Sequence, residues 1–178
     1  MKQFSLFSLL LGMLFSLSGM AFQPIQNESH YQVYLDLNEV KDDKLPVQMV
    51  TPILFKDSVQ FHMPRIIPGT YDVHNYGQFV TEFKALDSRG KELKVKKIDL
   101  NRWVIYNAKK LYKISYKVDD TYDYPEKTGI FEPAGTTLED DVYLLNNFGF
   151  VGYLDGYKNN PFRLQVEKPK GFYGSTAL

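Results

Sequence analysis

Apolar and polar residues alternate with a period of two along most of this chain. Tyr31, Val33, Leu35 and Leu37 alternate with Gln32, Tyr34 and Asp36. That is the signature of a strand with one buried face. Lys41 to Lys44 is a polar turn. Leu45 to Ile53 reads as a second strand, and Pro46 and Pro52 place it at a sheet edge, because proline has no amide to give a central ladder. Asp57 to Met63 is a third strand, with Val59, Phe61 and Met63 facing inward. Phe79 to Leu86 and the run around Leu93 and Val95 read as strands joined by a hairpin loop at Asp87–Gly90. Arg102 to Tyr106 is short and carries the only tryptophan, Trp103. Tyr112 to Val118 alternates cleanly, residues 119 to 140 are mostly loop, and Val142 to Leu145 and Phe148 to Leu154 are short strands. Phe162, Leu164 and Val166 mark the last strand, which Pro169 and Gly171 end. Nowhere after the first 21 residues do apolar positions recur at helical spacing for three turns. The expected fold is all-β: an antiparallel sandwich or saddle-shaped sheet.

One stretch breaks the alternation. From Met63 to Val80, Pro64 and Pro68 each fix φ and remove a donor, and Pro68-Gly69 is a turn dipeptide. Tyr71, His74, Tyr76 and Phe79 follow on an irregular segment. Aromatic residues on a loop held by a rigid scaffold suit recognition, and they equally suit a plug closing the end of a sandwich. Two further glycine-bearing, aromatic loops, Gly129–Thr136 with Glu132 and Asn146–Tyr153, are expected to converge with it as one wall of a cleft.

Composition narrows the function classes. The 178 residues contain 21 basic and 21 acidic side chains, so net charge argues for neither nucleic acid nor an anionic surface as partner. Cysteine is absent, which excludes disulfides, thiolate metal sites and a cysteine nucleophile. The first 21 residues have the form of a signal peptide: Lys2, an apolar run from Phe4 to Leu17, and small residues at Gly19 and Ala21. Cleavage after Ala21 is expected, with an uncleaved anchor as the alternative, then a flexible lead-in over 22–29 and a β domain over 30–171, with no membrane span once the leader is removed. The expected destination is the periplasm or the extracellular space.

Catalytic constellations are not legible. His30, His62 and His74 do not form a helical zinc motif. Asp119, Asp120 and Asp123 fail the spacing of a calcium loop and read as a solvated turn. No Gly-x-Ser-x-Gly elbow is present.

At the irregular loops the chain resembles a known family. Pro68-Gly69-Thr70-Tyr71 with the continuation to Phe79-Val80, the Asn146–Tyr153 stretch, and Lys168-Pro169-Lys170-Gly171-Phe172 with Ser175–Leu178 resemble the N-terminal domain of the glycyl aminopeptidase family of zinc metallopeptidases, peptidase family sixty-one. The resemblance covers roughly residues 30 to 178 and implies a modular protein: a noncatalytic β domain ahead of a thermolysin-like zinc domain. This chain has no His-Glu-x-x-His, so zinc and hydrolysis are expected from that other domain, with residues 172–178 beginning the connection to it, and the chain reads as a fragment or truncated product. The expected partners are the zinc peptidase domain and a peptide substrate. Pro68, Gly69, Tyr71, His74, Tyr76 and Glu132 are the candidates for walling the substrate cleft. The competing reading is a free-standing module for glycans or peptides, with Tyr71, Tyr76 and Tyr157 as an exposed platform.

Overall fold

The computed structural model describes Gln26 and residues 29–70, 72–122, 130 and 134–177. Strands β1 (Tyr31–Asp36), β2 (Lys44–Val50), β3 (Ser58–His62), β4 (Val80–Asp87), β5 (Val95–Lys97), β6 (Arg102–Tyr106) and β7 (Leu111–Asp119) come first. They are followed by β8 (Thr137–Leu138), β9 (Tyr143–Leu144), the single helical turn α1 (Asn147–Phe150), β10 (Tyr153–Leu154) and β11 (Phe162–Glu167). One sheet runs β11-β1-β2-β7-β4, a second β10-β3-β6-β5, and β8-β9 is a separate ribbon. Among the described residues every strand pair is antiparallel except β1 with β11. The fold is all-β, as the alternation requires.

The inward residues of both sheets form one core. Tyr31, Val33, Leu35, Leu45, Val47 and Met49 from the first sheet meet Val59, Phe61, Trp103 and Ile105 from the second. Phe83 stacks between Trp103 at 4.9 Å and Tyr116 at 5.9 Å. The Tyr31 hydroxyl accepts from the amide of Leu154 at 3.0 Å and so ties β1 to β10 across the sandwich. Burial pushes the Tyr31 and Tyr116 hydroxyls well above the ordinary tyrosine range, which keeps both neutral as hydrogen-bonding groups.

Three expectations are corrected. β2 is not an edge strand but the centre of its sheet, between β1 and β7. Its proline is tolerated because Pro46 falls one residue past the last β1 partner, Leu35↔Val47, where β2 has only one neighbour; Pro52 lies beyond the strand altogether. The hairpin expected across Asp87–Gly90 closes only briefly, through the Leu86↔Glu92 bridge, before β5 crosses to the second sheet. Gly90 does take the left-handed φ of +78° that the turn needs. Residues 147–150 are helical, so the strand expected from Phe148 shrinks to Tyr153–Leu154. In β4 the alternation slips at a bulge between Thr81 and Lys84, with Glu82 at φ +51°, which lets both Val80 and Phe83 turn inward.

Candidate functional site

After His62 the chain leaves the sheet and forms a lobe closed at its neck. The amides of His74 and Asn75 donate to the carbonyl of Arg65 at 3.0 and 3.1 Å, and the Tyr76 amide donates to Pro64 at 3.1 Å. At the tip, the Thr70 amide donates to Ile67 at 3.2 Å across Pro68 and Gly69, with Gly69 at φ +92°. That is the turn the Pro-Gly pair encodes: proline pre-sets one φ and glycine accepts the positive one. Pro68 and Gly69 are exposed at the tip.

His74 and Tyr76 lie at the base of the lobe, and both are 0% exposed. The Tyr76 ring packs edge-on against Phe148 at 5.3 Å and tilted against His74 at 5.7 Å. Its hydroxyl donates to the carbonyl of Ala134 at 3.0 Å, and burial raises its pKa to about 12. Gly77 lies so close to the Leu100 carbonyl that no side chain fits there, and its amide donates to Asn101 Oδ1 at 3.0 Å. Tyr76 is therefore no part of an exposed platform, and neither buried ring reaches the surface to wall a cleft. An aromatic side chain at a sheet corner removes a large apolar area from water when it turns inward. Tyr157, the other platform candidate, is half-buried. Tyr71 and Glu132 lie outside the described residues.

Beside the lobe runs an apolar groove of about 680 Å³. Its lining takes in Pro64 to Pro68 of the lobe, Phe148 and Val151 to Tyr153 of the later loop, and Val33, Phe162 and Leu164 of β1 and β11. Two of the three irregular loops thus converge. The described part of the third is tied to them, through the Ala134 carbonyl that accepts from Tyr76 and the Gly135 carbonyl that accepts from the Asn146 side-chain amide. Ile66 is 55% exposed and Phe162 39%. The charged side chains in the lining are Arg65 and Lys158, both cationic. The sequence pattern pointed to the lobe but not to Ile66, Arg65, Lys158 or the part of β11 in the lining. Phe162 and Leu164 look like ordinary inward strand positions, and nothing local reveals that β11 is the outer strand of its sheet.

Other candidate chemistry is structural. Asp120 is not in a solvated turn: it is buried, and its carboxylate accepts from the amides of Tyr122 and Leu138, each at 2.6 Å. His62 stacks on Tyr153 at 5.3 Å, and burial lowers its pKa; Asp155 and Asp99 oppose that shift, and Arg102 adds to it. Among the described residues no group of three His, Cys, Asp or Glu side chains comes together to hold a metal.

A search of curated proteins found no match. Four chains among solved structures match. One is an aminopeptidase N family protein from Idiomarina loihiensis, 18% identical, with a TM-score of 0.63 over 77% of this chain and 22% of that one. The likeness extends to the fold, and this chain spans about a fifth of that protein's length. The family profile of the peptidase M61 N-terminal domain matches residues 30–178, which takes in every strand and the whole groove. The chain belongs to the peptidase M61 N-terminal domain family.

Proposed function

We propose that this chain is the noncatalytic N-terminal β domain of an exported zinc aminopeptidase, packing on the catalytic domain and helping wall the substrate cleft. The observation that carries the reading is the apolar groove beside the Pro64–Pro68 lobe, with Ile66 held 55% exposed at its rim, in a domain of a peptidase family. A side chain of that kind gains by being covered, and a tethered neighbouring domain covers it at high effective concentration. Pro68 and Gly69 stand at the lobe tip, where a turn would meet the neighbour; Tyr71 and Glu132 complete the wall in this reading. Zinc and its ligands belong to the catalytic domain, and the leader at residues 1–21 directs the protein to the periplasm or beyond.

Co-expression with the catalytic domain of the same peptidase as a separate chain tests the docking. The two copurify, and Ile66→Asp releases the partner while leaving the melting temperature of this chain unchanged. Equal retention of wild type and variant, or of neither, sinks the proposal. Cell fractionation tests the export.

A further inference from the structure

The two main sheets present four outer strands: β4, β5, β10 and β11. Three are protected in ways that discourage pairing with another chain. β4 is broken by its bulge and partly covered by the Leu86↔Glu92 bridge. β5 has three residues, two of them Lys96 and Lys97, and β10 has two residues. β11 is different. It pairs with β1 over six residues without a register shift, contains no proline between Pro161 and Pro169, and is exposed at all but one position. Among the described residues no strand lies beyond it.

The direction of its backbone groups follows from one bond. The Tyr31 amide donates to Pro161 at 2.9 Å, which assigns the odd-numbered residues of β11 to the β1 ladder. Phe162, Leu164 and Val166 then aim their N–H and C=O groups at the open side.

We propose that this edge pairs with β11 of a second copy, antiparallel about Gln165. The sequence of the strand is self-complementary in that register. Leu164 faces Val166 of the partner, and Val166 faces Leu164, as pairs that exchange backbone hydrogen bonds. Arg163 faces Glu167, and Glu167 faces Arg163, at the intervening positions where opposed side chains stand closest. Apolar residues meet on the groove face and opposite charges meet on the other. A two-fold axis repeats each favourable contact, which is what a homodimer interface requires. The open edge thus becomes the middle of a ten-stranded sheet formed from two five-stranded ones. This pairing does not depend on a catalytic domain covering the Pro64–Pro68 lobe.

Sedimentation velocity on the purified full chain, from about 1 to 100 µM, tests the pairing. The wild type shifts from monomer to dimer across that range. Arg163→Glu and Glu167→Arg each weaken the dimer about tenfold or more, since two attractive pairs become repulsive. The double variant R163E/E167R restores it, because the swapped charges meet again. Val166→Pro abolishes dimerisation while circular dichroism and melting stay as in the wild type, since that amide serves only the open edge. Hydrogen exchange at Leu164 and Val166 slows in the dimer. A chain that stays monomeric, a double variant no better than the singles, or a Val166→Pro chain that still dimerises would each overturn the proposal.

Discussion

The hydroxyl of Tyr76 donates a hydrogen bond to the carbonyl oxygen of Ala134 across 3.0 Å, joining the lobe after β3 to the segment that leads into β8. Both residues are buried, so the bond has no water to replace it. Tyr76→Phe keeps the ring and leaves the Ala134 carbonyl unsatisfied, at a cost of about 1–2 kcal/mol, or about 3–6 °C in melting temperature. Tyr76→Ala also removes the ring from between His74 and Phe148 and costs about 3–5 kcal/mol. Denaturant titration of both variants distinguishes the two losses. Equal stability of Tyr76→Phe and wild type would show the bond to contribute nothing.

Glycines around the lobe should rank by what surrounds them. A methyl group at Gly77 runs into the Leu100 carbonyl, and one at Gly152 runs into the Phe61 ring and the His62 carbonyl. These are backbone and tightly packed ring atoms that cannot step aside, so Gly77→Ala and Gly152→Ala each cost about 2–3 kcal/mol. Gly69→Ala meets nothing within 4 Å, and only its φ of +92° opposes the change, at about 1 kcal/mol. Chemical unfolding of the three variants gives the order directly.

Asp120 holds its loop through two backbone amides, those of Tyr122 and Leu138. Asp120→Ala takes that acceptor from both donors, the Leu138 amide buried and the Tyr122 amide partly so, and lowers stability by about 2–3 kcal/mol. Asp120→Asn keeps one acceptor oxygen and loses less. Thermal melts of the pair check the difference; the reverse order would refute the assignment.

Acid should destabilise the protein in two separate windows. Burial sets the His62 pKa below its ordinary 6.5, so the folded chain binds fewer protons there than the unfolded chain. Stability from His62 is present above pH 6.5 and is lost as pH falls through the lowered folded value. The second window lies below the usual carboxylate range. There Asp87, held down by the amides of Lys91 and Arg89, must be protonated. His62→Gln removes the first slope and leaves the second. A pH series of melting temperatures for both proteins reads this out, and an unchanged slope between pH 7 and 5 in the variant would exclude His62 as its source.

Much of the β architecture was written in the order of side chains, because period-two alternation states which face of a strand is apolar before any partner is known. The strands from Tyr31, Ser58, Arg102, Leu111 and Phe162 follow directly. So does the Pro68-Gly69 turn, since both residues impose their φ values locally. The lobe itself was visible as an interruption of the pattern by Pro64 and Pro68.

Which strands became neighbours was decided only when both sheets closed over one core. Pro46 suggested an edge, yet β2 is central, and its pairing with β1 stops at Leu35↔Val47, one residue short of that proline. Likewise, the bulge between Thr81 and Lys84 in β4 shifted which residues face inward. Whether an apolar side chain on the lobe points to water or to the core depends on what stands behind it. Tyr76 met Phe148 and Ala134, residues far along the chain, and was buried; Ile66 met nothing comparable and stayed at the surface. Alternation is a property of adjacent residues, whereas burial at a corner and the openness of β11 depend on where distant segments stop.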